Sequence, residues 1–129
     1  MKKSFIAVLV LSSAVSLSGC VSITPASFLQ STYSDTKGTA PHVFQSSNPM
    51  DVVGKCAMHN IQERIASFNA IYSDEPAKPG TKEIRARSEV GVAAVVELEP
   101  TPTGTSITVW VSNHYPFKGT LAERISNGC

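Results

Sequence analysis

KEIRARSEVGVAAVVELEPTPTGTSITVWVS, residues 82–112, decides the fold. Apolar and polar side chains alternate over Glu83 to Ser88, over Val92 to Glu99 and over Ser106 to Ser112. A period of two is the signature of a strand with two different faces. The connections are short: Glu89-Val90-Gly91, then residues 100–105 with Pro, Thr and Gly. Short connections make the three strands antiparallel neighbours, and Gly91 supplies the positive φ of a bulged hairpin turn. Parity then predicts the register. Ser88 faces Val92, Ala86 faces Ala94, Ile84 faces Val96, Val96 faces Val109 and Ala94 faces Val111. One face carries Ile84, Ala86, Val92, Ala94, Val96, Leu98, Ile107, Val109 and Val111, and it requires helices against it. The other face carries Arg85, Arg87, Ala93, Val95, Thr108 and Trp110. Arg85, Val95 and Trp110 fall side by side on it, which predicts a cation–π contact of Arg85 with Trp110.

The flanking sequence supplies the helices. Met50, Val53, Ala57, Ile61, Ile65 and Phe68 recur at spacings of three and four and draw one helical stripe. Asn48 is the expected cap, Pro49 the first helical residue, and Asp51 complements the positive end of the helix. Gly54 interrupts the stripe's neighbour face, a sign of close packing against another backbone. Asp74-Glu75-Pro76 and Pro79-Gly80 mark residues 70–81 as a surface loop. His42-Val43-Phe44-Gln45 has the pattern of a short strand. Thr120-Leu121-Ala122-Glu123 has capping-box spacing for a last helix that ends at Asn127-Gly128. The expected architecture is α+β: a small antiparallel sheet of three to four strands with two helices packed on one face, in the order (β)-α-β-β-β-α.

Upstream the composition changes. Residues 1–19 join Lys2 and Lys3 to a short apolar run from Phe5 to Leu17 and end in small residues, the layout of a secretory signal. The run is too short to span a bilayer. Leu17-Ser18-Gly19-Cys20 resembles the lipobox of bacterial lipoproteins. That resemblance implies cleavage between Gly19 and Cys20, a diacylglyceryl group on the Cys20 thiol and acylation of the new amino group. More than one acyl chain makes membrane attachment stable. Val21 follows the cysteine where inner-membrane lipoproteins often carry Asp, so the resemblance implies the periplasmic leaflet of a Gram-negative outer membrane. Residues 20–40 are rich in Ser, Thr, Pro, Gly and Ala and read as a lipidated flexible tether, with residues 41–129 as a single domain. Residues 42–129, from Ser47-Asn48-Pro49 through the Cys56 helix and three strands to Cys129, are also similar to small uncharacterised proteobacterial envelope lipoproteins. That likeness implies architecture, not activity.

The chain has three cysteines. With Cys20 taken by lipid, Cys56 and Cys129 remain, and in an oxidising compartment an even remainder reads as one disulfide. An intermolecular bridge and a buried free Cys56 are the alternatives. Eleven basic against ten acidic side chains give a formal +1, and removal of residues 1–19 takes two lysines away, leaving a near-neutral domain. Nucleic acid is therefore not an expected partner.

Motifs of chemistry are sparse. His42, His59 and His114 have no ligand spacing, so neither a metal nor a cofactor is expected. His59 reads as solvated, and His114 as a surface or loop-capping residue. Glu97 and Glu99 share a strand face at a separation some glycosidases use, but solubilising charge near a turn is the simpler reading. The expected protein is a non-catalytic outer-membrane lipoprotein, anchored through Cys20, whose domain binds a protein or other envelope component. Arg85, Arg87, Val95 and Trp110 form its candidate binding patch, because Trp and Arg are enriched at interface hot spots. Two other readings stand beside it: a periplasmic enzyme inhibitor or immunity protein that projects the 70–81 loop, and a cryptic small hydrolase.

Overall fold

The computed structural model describes residues 30–129. The expected signal segment 1–19, the expected lipobox residues Gly19 and Cys20, and the first half of the expected tether lie outside the described residues. Among those described, the elements are α1 (Tyr33–Lys37), β1 (His42–Ser46), α2 (Met50–Arg64), β2 (Asn69–Tyr72), β3 (Lys82–Ser88), β4 (Gly91–Thr101), β5 (Gly104–Val111) and α3 (Lys118–Ser126). The five strands form one antiparallel sheet in the order β1-β5-β4-β3-β2. The class is α+β, with a larger sheet and one more helix than the sequence pattern predicts.

The central three strands pair almost as parity dictates. Ala86 faces Ala94, Ile84 faces Val96, Val96 faces Val109 and Ala94 faces Val111. The exception is the first hairpin. Ser88 pairs with Gly91 and Arg87 with Val92, and a register shift between Ala86 and Arg87 restores the rest. Gly91 takes a φ of 98°, so the turn is closed by a left-handed glycine and a bulge absorbs the extra residue. Eight of the nine expected core-face residues join the hydrophobic core; Val92 is buried but stands outside it.

The core lies between that face and two helices. Val53, Ala57 and Ile61 of α2 and Ala122 and Ile125 of α3 are fully buried against Ile84, Leu98, Ile107 and Val109. Each such large aliphatic side chain contributes about 1.5–3 kcal/mol. The stripe continues to Ile65 and Phe68, but the helix does not. It ends at Arg64, Ile65 is extended, and Ser67 adopts a φ of 71° that turns the chain into β2. Gly54 does sit at a close approach, against the Tyr72 hydroxyl and the Leu98 side chain rather than a backbone.

Three expectations about boundaries are corrected. Asn48 does not cap α2; Pro49 is the cap, and the Asn48 amide donates to Cys129 O at 2.7 Å. Thr120 lies inside α3, which starts two residues earlier at Lys118. Asn69–Tyr72 is an edge strand paired only with β3, although residues 70–72 fall within the surface loop expected over 70–81; its one buried residue, Ala70, is too little for a period to show.

The two core helices are fastened together. Cys56 of α2 and Cys129 form a disulfide with Cα atoms 5.5 Å apart and a sequence separation of 73. One turn along α2, the buried Asn60 amide donates to Ile125 O and Asn127 O, both at 2.9 Å. Those are carbonyls at the end of α3, which have no partner within the helix.

Candidate functional site

The face of the sheet opposite the core is where the sequence places Arg85, Arg87, Val95 and Trp110. Arg85, Val95 and Trp110 are indeed neighbours on β3, β4 and β5. They are not an open surface. Residues 31–40, expected in the tether, belong to the folded unit, and α1 lies across this face. Val95 is 0% exposed, so it is removed from the candidate patch; Arg87 is exposed, and Arg85 and Trp110 are half-buried.

Local chemistry explains why the segment folds there. Thr32 and Asp35 form a complete capping box: each side chain accepts the other residue's backbone N–H at 3.1 Å. These bonds hold the Asp35 carboxyl below its usual range. Just upstream, Ser31 bridges Gly91. Ser31 N donates to Val90 O at 2.6 Å, and Val92 N donates to Ser31 O at 2.9 Å. Only glycine fits at 91 on two counts, its positive φ and the Ser31 backbone standing where a Cβ would go. Thr36, fully buried, donates its hydroxyl to Val92 O at 2.7 Å.

Two clusters result. In the first, the Ser31 and Ser112 hydroxyls lie 2.6 Å apart, and each is 3.2 Å from His114 Nδ1. A hydroxyl beside an imidazole is the beginning of a nucleophile–base pair. Here both hydroxyls are buried and bonded to each other, so the trio fastens α1 to the end of β5. His114 is an exposed residue whose backbone N–H donates to Ser112 Oγ, which fits the surface alternative of the sequence reading, and His59 is out in solvent.

The second cluster is ionic and aromatic. Glu83 is 1% exposed, yet both its oxygens are satisfied: Tyr33 OH donates to Oε2 at 2.6 Å and Arg85 Nε to Oε1 at 3.0 Å. The Arg85 guanidinium also stacks 4.1 Å from the Tyr33 ring centroid. Trp110 is covered instead by the Lys37 ammonium, 3.8 Å from its centroid. The expected Arg85–Trp110 pairing is thus replaced by two cation–π contacts, both made with α1. Beside this cluster Glu97 faces Glu83 across the strands, and it is buried rather than solubilising. Lys78, from the 73–81 loop, reaches Glu97 at 4.0 Å and Glu99 at 3.7 Å. The loop therefore folds back on the sheet at this point.

The Tyr33 phenol is pushed up to about 12, first by burial and then by the bond it donates to the Glu83 carboxylate. Below about pH 10 the phenol is neutral in the folded and the unfolded chain, and its contribution is complete. Between pH 10 and 12 the unfolded chain releases the proton first, so stability falls as pH rises through that window. A phenolate absorbance titration should show a late component near pH 12 that Tyr33→Phe removes. Loss of a lower-pH component instead would contradict the buried Tyr33–Glu83 bond.

Glu83, Tyr33 and Lys37 are the residues that sequence reasoning missed. The signal was present in Thr32-Tyr33-Ser34-Asp35, which has the spacing of a helix start inside a segment whose overall composition reads as linker. Among the described residues no group of three His, Cys, Asp or Glu side chains is arranged to hold a metal, and no helix is long and apolar enough to cross a membrane. No protein-family model, curated protein or solved structure matches the chain.

Proposed function

We propose that this is a non-catalytic lipoprotein of the outer membrane, held on the periplasmic side through Cys20, whose domain binds another envelope component. The observation that carries the reading is the fate of the cysteines. Cys56 and Cys129 pair with each other, which leaves Cys20 as the remaining one of three, and it stands directly after Leu17-Ser18-Gly19. A structural disulfide belongs to an oxidising compartment, the same one that the signal segment addresses.

The binding surface in this reading is the rim of α1 and not the bare sheet. Trp110 and Lys37 are half-buried at that rim, and Arg87 is exposed at the other side of the face. Aromatic rings and guanidinium groups fixed in place by neighbours lose little entropy on binding, which suits them to a contact surface.

Cys20→Ala tests the anchor. The variant should accumulate as an uncleaved, unacylated precursor, while the unaltered chain should take up labelled palmitate and partition with outer-membrane fractions. Acylation of the Cys20→Ala protein at the unaltered level would refute the reading.

A further inference from the structure

The largest exposure of any large apolar side chain among the described residues is at Phe117, 74%. Phe117 precedes α3 and follows Tyr115 and Pro116; together with Leu121 and Arg124 they line an open groove of about 250 Å³. Lys118 stands beside Phe117 and donates to Asn113 Oδ1 at 2.6 Å. Arg124 borders the groove, with one guanidinium nitrogen 2.9 Å from Arg64 O. An exposed aromatic ring with two cationic residues near it has the composition of an interfacial membrane contact: the ring enters the acyl boundary and the cations stay at the phosphates.

Its place in the fold matters as much as its composition. Tyr115 OH bonds Ser88 Oγ at 2.7 Å, and the Tyr115 ring meets Phe68 with centroids 5.5 Å apart. Both contacts put the Phe117 turn at the end of the sheet that holds the Glu89-Val90 hairpin. Ser31 bridges Gly91 at that same end. The chain thus leaves the domain toward Cys20 from the end that carries the apolar ring. Cys20 lies eleven residues before Ser31, a span of at most about 40 Å. Running along the eleven residues of β4 would use roughly 36 Å of it. Presenting the opposite end to the bilayer would therefore exhaust the span, whereas the Phe117 end needs none of it.

We infer that the Tyr115–Phe117 turn, with Lys118 and Arg124, is a membrane-contact surface that seats the domain on an anionic phospholipid layer. The inference rests on the lipid anchor proposed above and adds to it an orientation: the Pro102-Thr103 hairpin points away from the membrane and the rim of α1 is left clear at the side.

The test uses the full lipidated chain in vesicles of phosphatidylethanolamine and phosphatidylglycerol that carry brominated acyl chains. Trp110→Phe removes the native indole, and Phe117→Trp or Thr103→Trp supplies a new one at either end. Both positions are exposed, so folding is little disturbed. Phe117→Trp should show a blue-shifted emission and about twofold or more stronger bromine quenching than Thr103→Trp. Lys118→Gln with Arg124→Gln should reduce that difference. If the chain floats with the vesicles but the two indoles are quenched equally, this surface is wrong and the anchor survives. If the lipidated chain does not float with the vesicles, the anchor fails and takes the surface with it. A blue shift without lipid that grows with protein concentration assigns the groove to a second copy and overturns the proposal.

Discussion

Serine in place of both Cys56 and Cys129 should lower the free energy of unfolding by about 4 kcal/mol. The bridge closes a loop with a sequence separation of 73, and in the chain-entropy model that is the constraint removed from the unfolded ensemble. For a folded unit of this size each kcal/mol corresponds to about 4–8 °C in Tm, so a fall of roughly 15–30 °C is expected. The loss should be nearly the same for the double variant and for the reduced native chain, because both release the same loop. The bridge also holds the end of α3 on α2. Without it, the terminus is held by the packing of Ala122 and Ile125, the Arg124 bond to Arg64 O, the Asn60 amide bonds to Ile125 O and Asn127 O, and those of Ser46 and Asn48 to Cys129 O. Hydrogen exchange should therefore report early opening in α3 before β3, β4 and β5. A Tm change of under about 5 °C on reduction would show that the chain-entropy account fails here.

Gly104→Ala should be the most damaging single exchange of a small residue, at about 3 kcal/mol. Gly104 begins β5 at the turn from β4 and lies beneath the edge strand β1. A Cβ at this position would overlap Ser46 O and come within 2.7 Å of Ser47 Cα. The obstacle is backbone, so it does not rotate out of the way. β1 would have to move, which breaks the Ser46–Thr105 pairing, the Ser46 hydroxyl bond to Cys129 O and the Thr105 hydroxyl bond to Asn48 O. Gly119→Ala is the control. Its Cβ would meet nothing closer than His42 at 3.6 Å, inside a helix, so it should be neutral or stabilising by up to about 1 kcal/mol. Comparable destabilisation by the two exchanges, measured by denaturant unfolding, would rule out the Ser46 clash as the cause.

The outer face shows how far a sequence carries a site. Parity alone brings Arg85, Val95 and Trp110 into one row, and they do form one row. What parity does not contain is the segment that crosses them. Tyr33, Thr36 and Lys37 meet their partners on the sheet from fifty or more positions away in sequence, and no period within the strands encodes their arrival. Glu83 shows the same limit. On β3 it is one more polar residue in an alternating run; burial and its two partners turn it into the centre of an ionic cluster. Glu97 looks like a solubilising charge for the same reason, and Lys78 with the covering layer makes it otherwise.

Local alternation and turn chemistry by themselves determined the antiparallel β3-β4-β5 meander, its register beyond the bulge, the core stripe of α2 and the strand pattern of β1. Each of these is encoded by neighbours a few residues apart. Counting cysteines leaves the Cys56–Cys129 bridge as one of three readings, and the structure decides for it. Tertiary structure alone decided the edge strand β2, the place of β1 beside β5, the true helix starts and the covering of the outer face by α1. Those depend on free energies summed over distant surfaces, where a short, weakly patterned segment folds only because a larger one is already there to receive it.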